Sequence, residues 1–192
     1  MTEQVLYKWF TADKRTCNQN IKWPKRKGAW TDRETPILCE SGWHGTTREN
    51  LLEWMPGSPK PQLWVVETSG LIVHGDTKFA AERMRLVECV AVADERLLRL
   101  FACDVAEDVL PIFEKARPND RRVRECIEAA RRFVNGDATR AELTAAQAAA
   151  WDAAQAAAWD AAGDAAGDAA WDAAQAAAGA KYREMFAVRL GL

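Results

Sequence analysis

No two cysteines of this chain form a C-x-x-C pair, although there are five, at Cys17, Cys39, Cys89, Cys103 and Cys126. Structural zinc sites bring their ligands in such close pairs. Among Cys17, Cys39, His44, His74 and Cys89 only Cys39 and His44 are near neighbours, so no metal site is expected. An odd count without paired spacing suits a reducing compartment. No apolar run reaches 18 residues, which argues against a membrane-spanning helix. The first residues carry no signal-peptide pattern. A soluble cytoplasmic protein is expected. The net charge is only −2, so nothing drives the whole chain toward nucleic acid or anionic lipid.

The sharpest local absence is in residues 145–180, which contain no Lys, Arg or Pro. There, 22 of 36 residues are Ala. The stretch reads as tetrads headed by Gln147, Trp151, Gln155, Trp159, Gly163, Gly167, Trp171 and Gln175. Ala loses no side-chain entropy in a helix, so a helix of about 54 Å is expected if unbroken. Thr139-Arg-Ala-Glu142 opens it as a capping box. Each tetrad turns the helix about 400°, so the Trp positions drift around the axis by about 40° per step. The three Trp are expected to be buried, and Gly163 and Gly167 to mark close contacts or a break. One Asp per tetrad places a charge about every 6 Å, too sparse to mimic duplex DNA at one per 1.7 Å.

The texture changes near residue 92. Six of the nine Trp lie in the first 64 residues and the other three in the alanine tract. Val5–Phe10, Leu63–Thr68, Leu71–Val73 and Arg85–Val92 read as strands, and Ile37–Thr46 as a short strand, a Gly turn and another short strand. Thr46-Thr-Arg-Glu49 predicts a helix through Leu51, Leu52 and Met55. Asp76 and Thr77 predict a single helical turn through Ala81. Residues 1–92 are therefore expected to form a small mixed α+β domain. Asp94 predicts a helix to Lys115, with Leu97, Phe101, Val105, Val109 and Phe113 on its apolar face and a kink at Pro111. Val123, Ile127, Ala130 and Val134 predict a second amphipathic helix ending at Asn135-Gly136. Residues 93–192 thus read as an all-α, alanine-rich helical bundle, with the alanine-rich helix at its centre. Cys103 and Cys126 read as small buried hydrophobes.

Residues 13–36 carry Lys14, Arg15, Lys22, Lys25, Arg26 and Lys27, interleaved with Trp23 and Trp30. Such a stretch can bind single strands by phosphate contact and stacking. The balanced charge elsewhere disfavours nucleic acid. Interface hot spots favour Trp and Arg. The expected binding residues are Trp23, Lys25, Arg26, Lys27, Trp30, Arg48 and Trp54. One or two of Trp23, Trp30 and Trp54 are expected to be exposed beside basic side chains.

Three resemblances add to this reading. The run Leu98-Arg-Leu-Phe-Ala-Cys-Asp-Val-Ala-Glu-Asp-Val-Leu-Pro-Ile-Phe-Glu114 is followed by Arg117-Pro-Asn-Asp120, Ile127-Glu-Ala-Ala130 and the Ala/Trp repeat. Together they resemble a bacterial family of immunity proteins, which implies a helical domain and the neutralisation of another protein. Cys39-x-x-Gly42-Trp43-His44 with Leu63-Trp-Val-Val-Glu-Thr-Ser-Gly70 is similar to an uncharacterised domain common in phage genomes, which implies a mobile-element origin. Trp43-His44-Gly45-Thr46 with Asn50-Leu51-Leu52 resembles the His-Gly-Thr strand of ADP-ribosyltransferases, which makes His44 the candidate catalytic-site and NAD ligand. That superfamily's Tyr strand has no counterpart, since Tyr7 and Tyr182 are the only Tyr, and its glutamate would have to be Glu67 or Glu88.

The leading expectation is a non-enzymatic binding protein that inhibits or neutralises a host protein, which the basic loop suits if that protein is acidic. No cofactor is expected. The alternatives are an ADP-ribosyltransferase-like enzyme and a protein that sequesters a nucleotide or small molecule. A homodimer is the competing use of the Trp-bearing surface.

Overall fold

The computed structural model describes residues 4–16, 21–161 and 168–192, without the side chains of 154–161 and 168–178. Cys17, Gly163 and Gly167 lie outside the described residues, as do the side chains of Trp159 and Trp171. The expected close contacts at the two glycines, and the expected central place of the alanine-rich helix, rest on that part of the chain. The fold is α+β: four antiparallel strands, then four helices. Two compact units result, one of residues 1–95 with 183–192, the other of residues 96–182.

In the first unit the strands are β1 (Leu6–Phe10), β2 (Trp43–Thr47), β3 (Gln62–His74) and β4 (Phe79–Val92). They close on themselves in the order β1-β2-β4-β3. β3 and β4 form one long hairpin, with register shifts between Leu63/Trp64, Val65/Val66 and Ser69/Ile72. Ser69-Gly70 is therefore an irregularity inside one strand and not a turn between two. Cross-strand pairing supplied for β3 what its Gly-containing sequence does not advertise. Residues 75–78 make the hairpin turn, so Asp76 and Thr77 cap no helix. Thr46 and Thr47 belong to β2, and only a single 3-10 turn, Arg48–Asn50, follows. Thr46 caps no helix because it is paired with Tyr7 inside β2, where its buried hydroxyl donates to the Thr77 carbonyl, 2.8 Å away. Residues 37–39 form a turn closed by an Ile37–Ser41 bridge.

Alternation along β4 turns Met84 and Leu86 inward and Arg83 and Arg85 outward. Met84 and Leu86 join Phe10, Trp64, Val66 and Phe79 in the barrel core. The basic segment does not stand free of this sheet. Its amides at Gly28, Thr31 and Glu34 donate to the carbonyls of Leu86, Met84 and Glu82. Thr31, fully buried, also accepts the Met84 amide through Oγ1 at 2.9 Å. The segment thereby covers backbone groups of β4 that would otherwise face water. The opposite side of β1 is buried too. Trp9 stands 6.4 Å from Phe186, ring centre to ring centre, and Phe186, Ala187 and Leu190 are buried with Leu51 and Leu63.

The helices are α1 (Glu95–Ala116), α2 (Arg122–Asn135), α3 (Arg140–Ala161) and α4 (Asp168–Arg189). In the second unit Cys103, Leu110 and Ile127 are buried together, with Ala106, Val123 and Ala130 against them. Of the expected stripe on α2, Ile127 is buried with Val123 and Ala130 partly buried beside it, Val134 is outside this cluster, and Ala129 is buried outside the stripe. On α1 Cys103 and Leu110 are buried, Ala106 is partly buried between them, and Val109 is exposed. A strict four-residue spacing drifts about 40° per step, so the row from Leu97 leaves the core face by Val109. α2 ends at Gly136, whose φ of 86° permits the left-handed cap that accepts no side chain cheaply. The capping box at α3 is formed. The Thr139 amide donates to Glu142 Oε2 at 2.7 Å, and the Glu142 amide to Thr139 Oγ1 at 3.2 Å. Trp151 is 66% exposed, against the expected burial of the repeat's Trp residues. The drift of the tetrad turns it away from the face that buries Leu143 and Ala153. Among the described residues no helix is long and apolar enough to cross a membrane.

Candidate functional site

A cleft of about 450 Å³ opens in the first unit beside β2. Its wall includes Lys8 from β1, Trp43 and His44 from β2, Cys39 from the 37–41 turn, Trp54, and Lys78 from the hairpin turn. β2 is the strand that places them, since it pairs with β1 through Leu6–Thr47 and with β4 through His44–Ala80.

His44 is committed to the fold. Its Nε2 accepts the Cys39 amide at 3.1 Å, and its own carbonyl accepts the Lys8 ammonium at 2.5 Å. Burial first, then the charges of Lys8 and Lys78, push the imidazole below its ordinary value, while the carbonyls of Ile37 and Gly42 pull the other way. The result is a neutral ring that clamps the 37–42 turn. Cys39 lies in the left-handed region, φ 66°, at a cost of about 1–2 kcal/mol for a residue with a Cβ. The His44 bond holds it there. Lys78 Nζ sits 2.8 Å from Cys39 Sγ and 4.6 Å from the Trp54 ring centre.

The depressed imidazole has a consequence for stability. The unfolded chain takes up the His44 proton near the ordinary value of about 6.5, before the folded chain does. Its contribution is therefore fully present above that pH and is lost as pH falls below it. Urea midpoints should fall between pH 7.5 and 5.5, and His44→Gln should flatten part of that slope. An unchanged slope would mean that the fold does not depress the ring.

Of the expected binding residues only Trp54 lies on the cleft wall, where it is joined by His44, the candidate from the ADP-ribosyltransferase resemblance. Trp23 is a core residue, 6% exposed, packed edge-on against Phe10 and Trp43 at 5.3 and 5.2 Å. Trp30 is half-buried with Arg85 and Arg83 over its ring at 4.7 and 5.7 Å. Trp54 is half-buried, and its Nε1 donates to Thr77 Oγ1 at 3.2 Å. None of the three is exposed, contrary to expectation. Each ring is covered by the chain's own cations or core, which offsets the cost of leaving it in water. Arg48 is occupied as well: it grips Glu184 through both terminal nitrogens and reaches the Leu192 carbonyl at 3.0 Å. Lys25 pairs with Asp32 at 3.0 Å, whereas Arg26 and Lys27 are exposed.

Lys8 and Lys78 are the cleft residues that sequence reading missed. Lys78 and Cys39 are 39 positions apart, and no local spacing signals their meeting. Among the described residues no three His, Cys, Asp or Glu converge as metal ligands would. Burial raises the thiols of Cys89, Cys103 and Cys126 above their ordinary value, which makes them poor nucleophiles.

No curated protein matches this chain. No solved structure matches it either. Residues 88–184, covering the end of β4 and the helices up to α4, match the family described as Imm-5 like putative immunity protein, and the chain belongs to that family.

Proposed function

We propose that this immunity-type protein, of phage or mobile-element kind, acts by binding a host protein, a toxin or a defence factor, and neutralising it. The family match over residues 88–184 carries this reading. The contact surface is assigned to the N-terminal unit, with Arg26 and Lys27 meeting an acidic partner. Both are exposed, and the amides of Gly28, Thr31 and Glu34 pin the segment that presents them to β4. Cations held on an ordered segment steer an acidic partner without a large ordering cost. The ADP-ribosyltransferase-like alternative draws no support from His44, whose Nε2 is engaged by the Cys39 amide.

The test is affinity capture with the full chain, followed by growth rescue when the captured protein is co-expressed. Arg26→Glu with Lys27→Glu is expected to reduce capture at least tenfold and to abolish rescue. Val109→Asp with Ile112→Asp on α1, at exposed positions, is expected to leave both intact. The reverse pattern would move the contact surface to the helical unit.

A further inference from the structure

We propose that the cleft beside β2 binds a small aromatic carboxylate, held by the Lys78 ammonium between the rings of Trp54 and Trp43. Several polar groups on the wall are already used. Trp43 Nε1 donates to the Asp32 carbonyl at 3.0 Å, and Trp54 Nε1 to Thr77 Oγ1 at 3.2 Å. The Ser41 hydroxyl donates to the Thr35 carbonyl, and the Thr46 hydroxyl to the Thr77 carbonyl. The His44 Nε2 is taken by the Cys39 amide. Each of these groups is thus engaged within the fold.

Lys78 differs from them. It is half-buried, and its ammonium faces a thiol at 2.8 Å and the Trp54 ring at 4.6 Å. A thiol is a weak acceptor and a ring carries no net charge, so neither neutralises it. The carboxylates on the wall, Glu34 and Glu40, are exposed. Lys8 adds a second positive charge that acts on the same imidazole. An ammonium drawn partly out of water beside aromatic walls calls for an anion with a flat apolar body.

Size and charge narrow the class. A volume of about 450 Å³ lies within the range of small-molecule sites, about 300–1,000 Å³. It accommodates one or two fused rings. One open ammonium matches a single carboxylate, whereas a nucleotide polyphosphate would need a larger set of cations or a backbone nest.

The probes are three isosteric naphthalenes, titrated calorimetrically into the full chain: 2-naphthoate, 2-naphthylmethylammonium and 2-naphthalenemethanol. The carboxylate is expected to bind at least tenfold tighter than the other two. Lys78→Met should erase that advantage, Lys78→Arg should keep most of it, and Glu34→Gln with Glu40→Gln should not weaken it. Equal or tighter binding of the ammonium would overturn the proposal in favour of a cation held by Glu34 and Glu40. Carboxylate affinity indifferent to Lys78→Met, or no saturable binding at millimolar probe, would overturn it outright. The titration needs no partner protein, so its failure leaves the neutralisation reading standing, and the capture experiment does not decide this one.

Discussion

Phe186→Ala is expected to destabilise the N-terminal unit by about 3–5 kcal/mol, the usual cost of deleting a buried ring. Phe186 lies near the end of α4, about 90 residues after the last strand, yet it is fully buried and packs on Trp9 of β1. Ala187 and Leu190 are buried with it, and Arg48 ties the same segment down through Glu184 and the Leu192 carbonyl. Urea unfolding followed by Trp fluorescence would read the loss. Val188, only two residues on, is exposed, and Val188→Ala should change stability by less than about 0.5 kcal/mol. Equal effects at the two positions would show that the last turns of α4 are not part of this core. The same packing means that a fragment ending near residue 92 lacks one wall of its own core. Binding experiments therefore belong on full-length variants.

Gly45→Ala is expected to cost about 1–3 kcal/mol by overpacking, although Ala is the smallest possible addition. A Cβ at this position would lie 2.4 Å from a ring carbon of Phe79 and 2.7 Å from the Tyr7 carbonyl. Phe79 is 1% exposed and has no space to retreat, and the Tyr7 carbonyl belongs to a strand paired on both sides. Gly57→Ala, where nothing lies within 4 Å, serves as the control and should be close to neutral. Thermal melts of the two variants decide the matter. If Gly45→Ala melted like the wild type, Phe79 would have to be mobile. The substitution also bears on the His-Gly-Thr motif of β2. In this fold its three residues clamp a turn, admit Phe79 and bond to the hairpin, with no ligand needed to account for them.

The elements that local pattern predicts well are those stabilised locally. The capping box at Thr139 and Glu142 forms because both partners lie one turn apart on the same helix. Ile127 is buried with Val123 and Ala130 partly buried against it, because α2 is short enough for the drift not to matter. The pattern misled where tertiary partners compete for the same groups. Thr46 had the sequence of a cap, but its hydroxyl has a buried carbonyl to satisfy, and an unsatisfied polar group there would cost about 1–3 kcal/mol. Trp23 and Trp30 sat in a basic run that reads as a surface loop. That run lies along β4, and its rings went inward or under Arg83 and Arg85.

By itself the sequence determined the fold class, the helices α1 and α2, the capping of α3 and the resemblance to an immunity family, because each depends on residues within a few turns of one another. Closure of the strands in the order β1-β2-β4-β3, the return of Phe186 to β1 and the meeting of Lys78 with Cys39 and Trp54 were decided only by the tertiary structure. Contacts between residues tens of positions apart form when buried surface offsets the entropy of closing the chain, and that balance depends on the shape of the whole core, not on any one stretch.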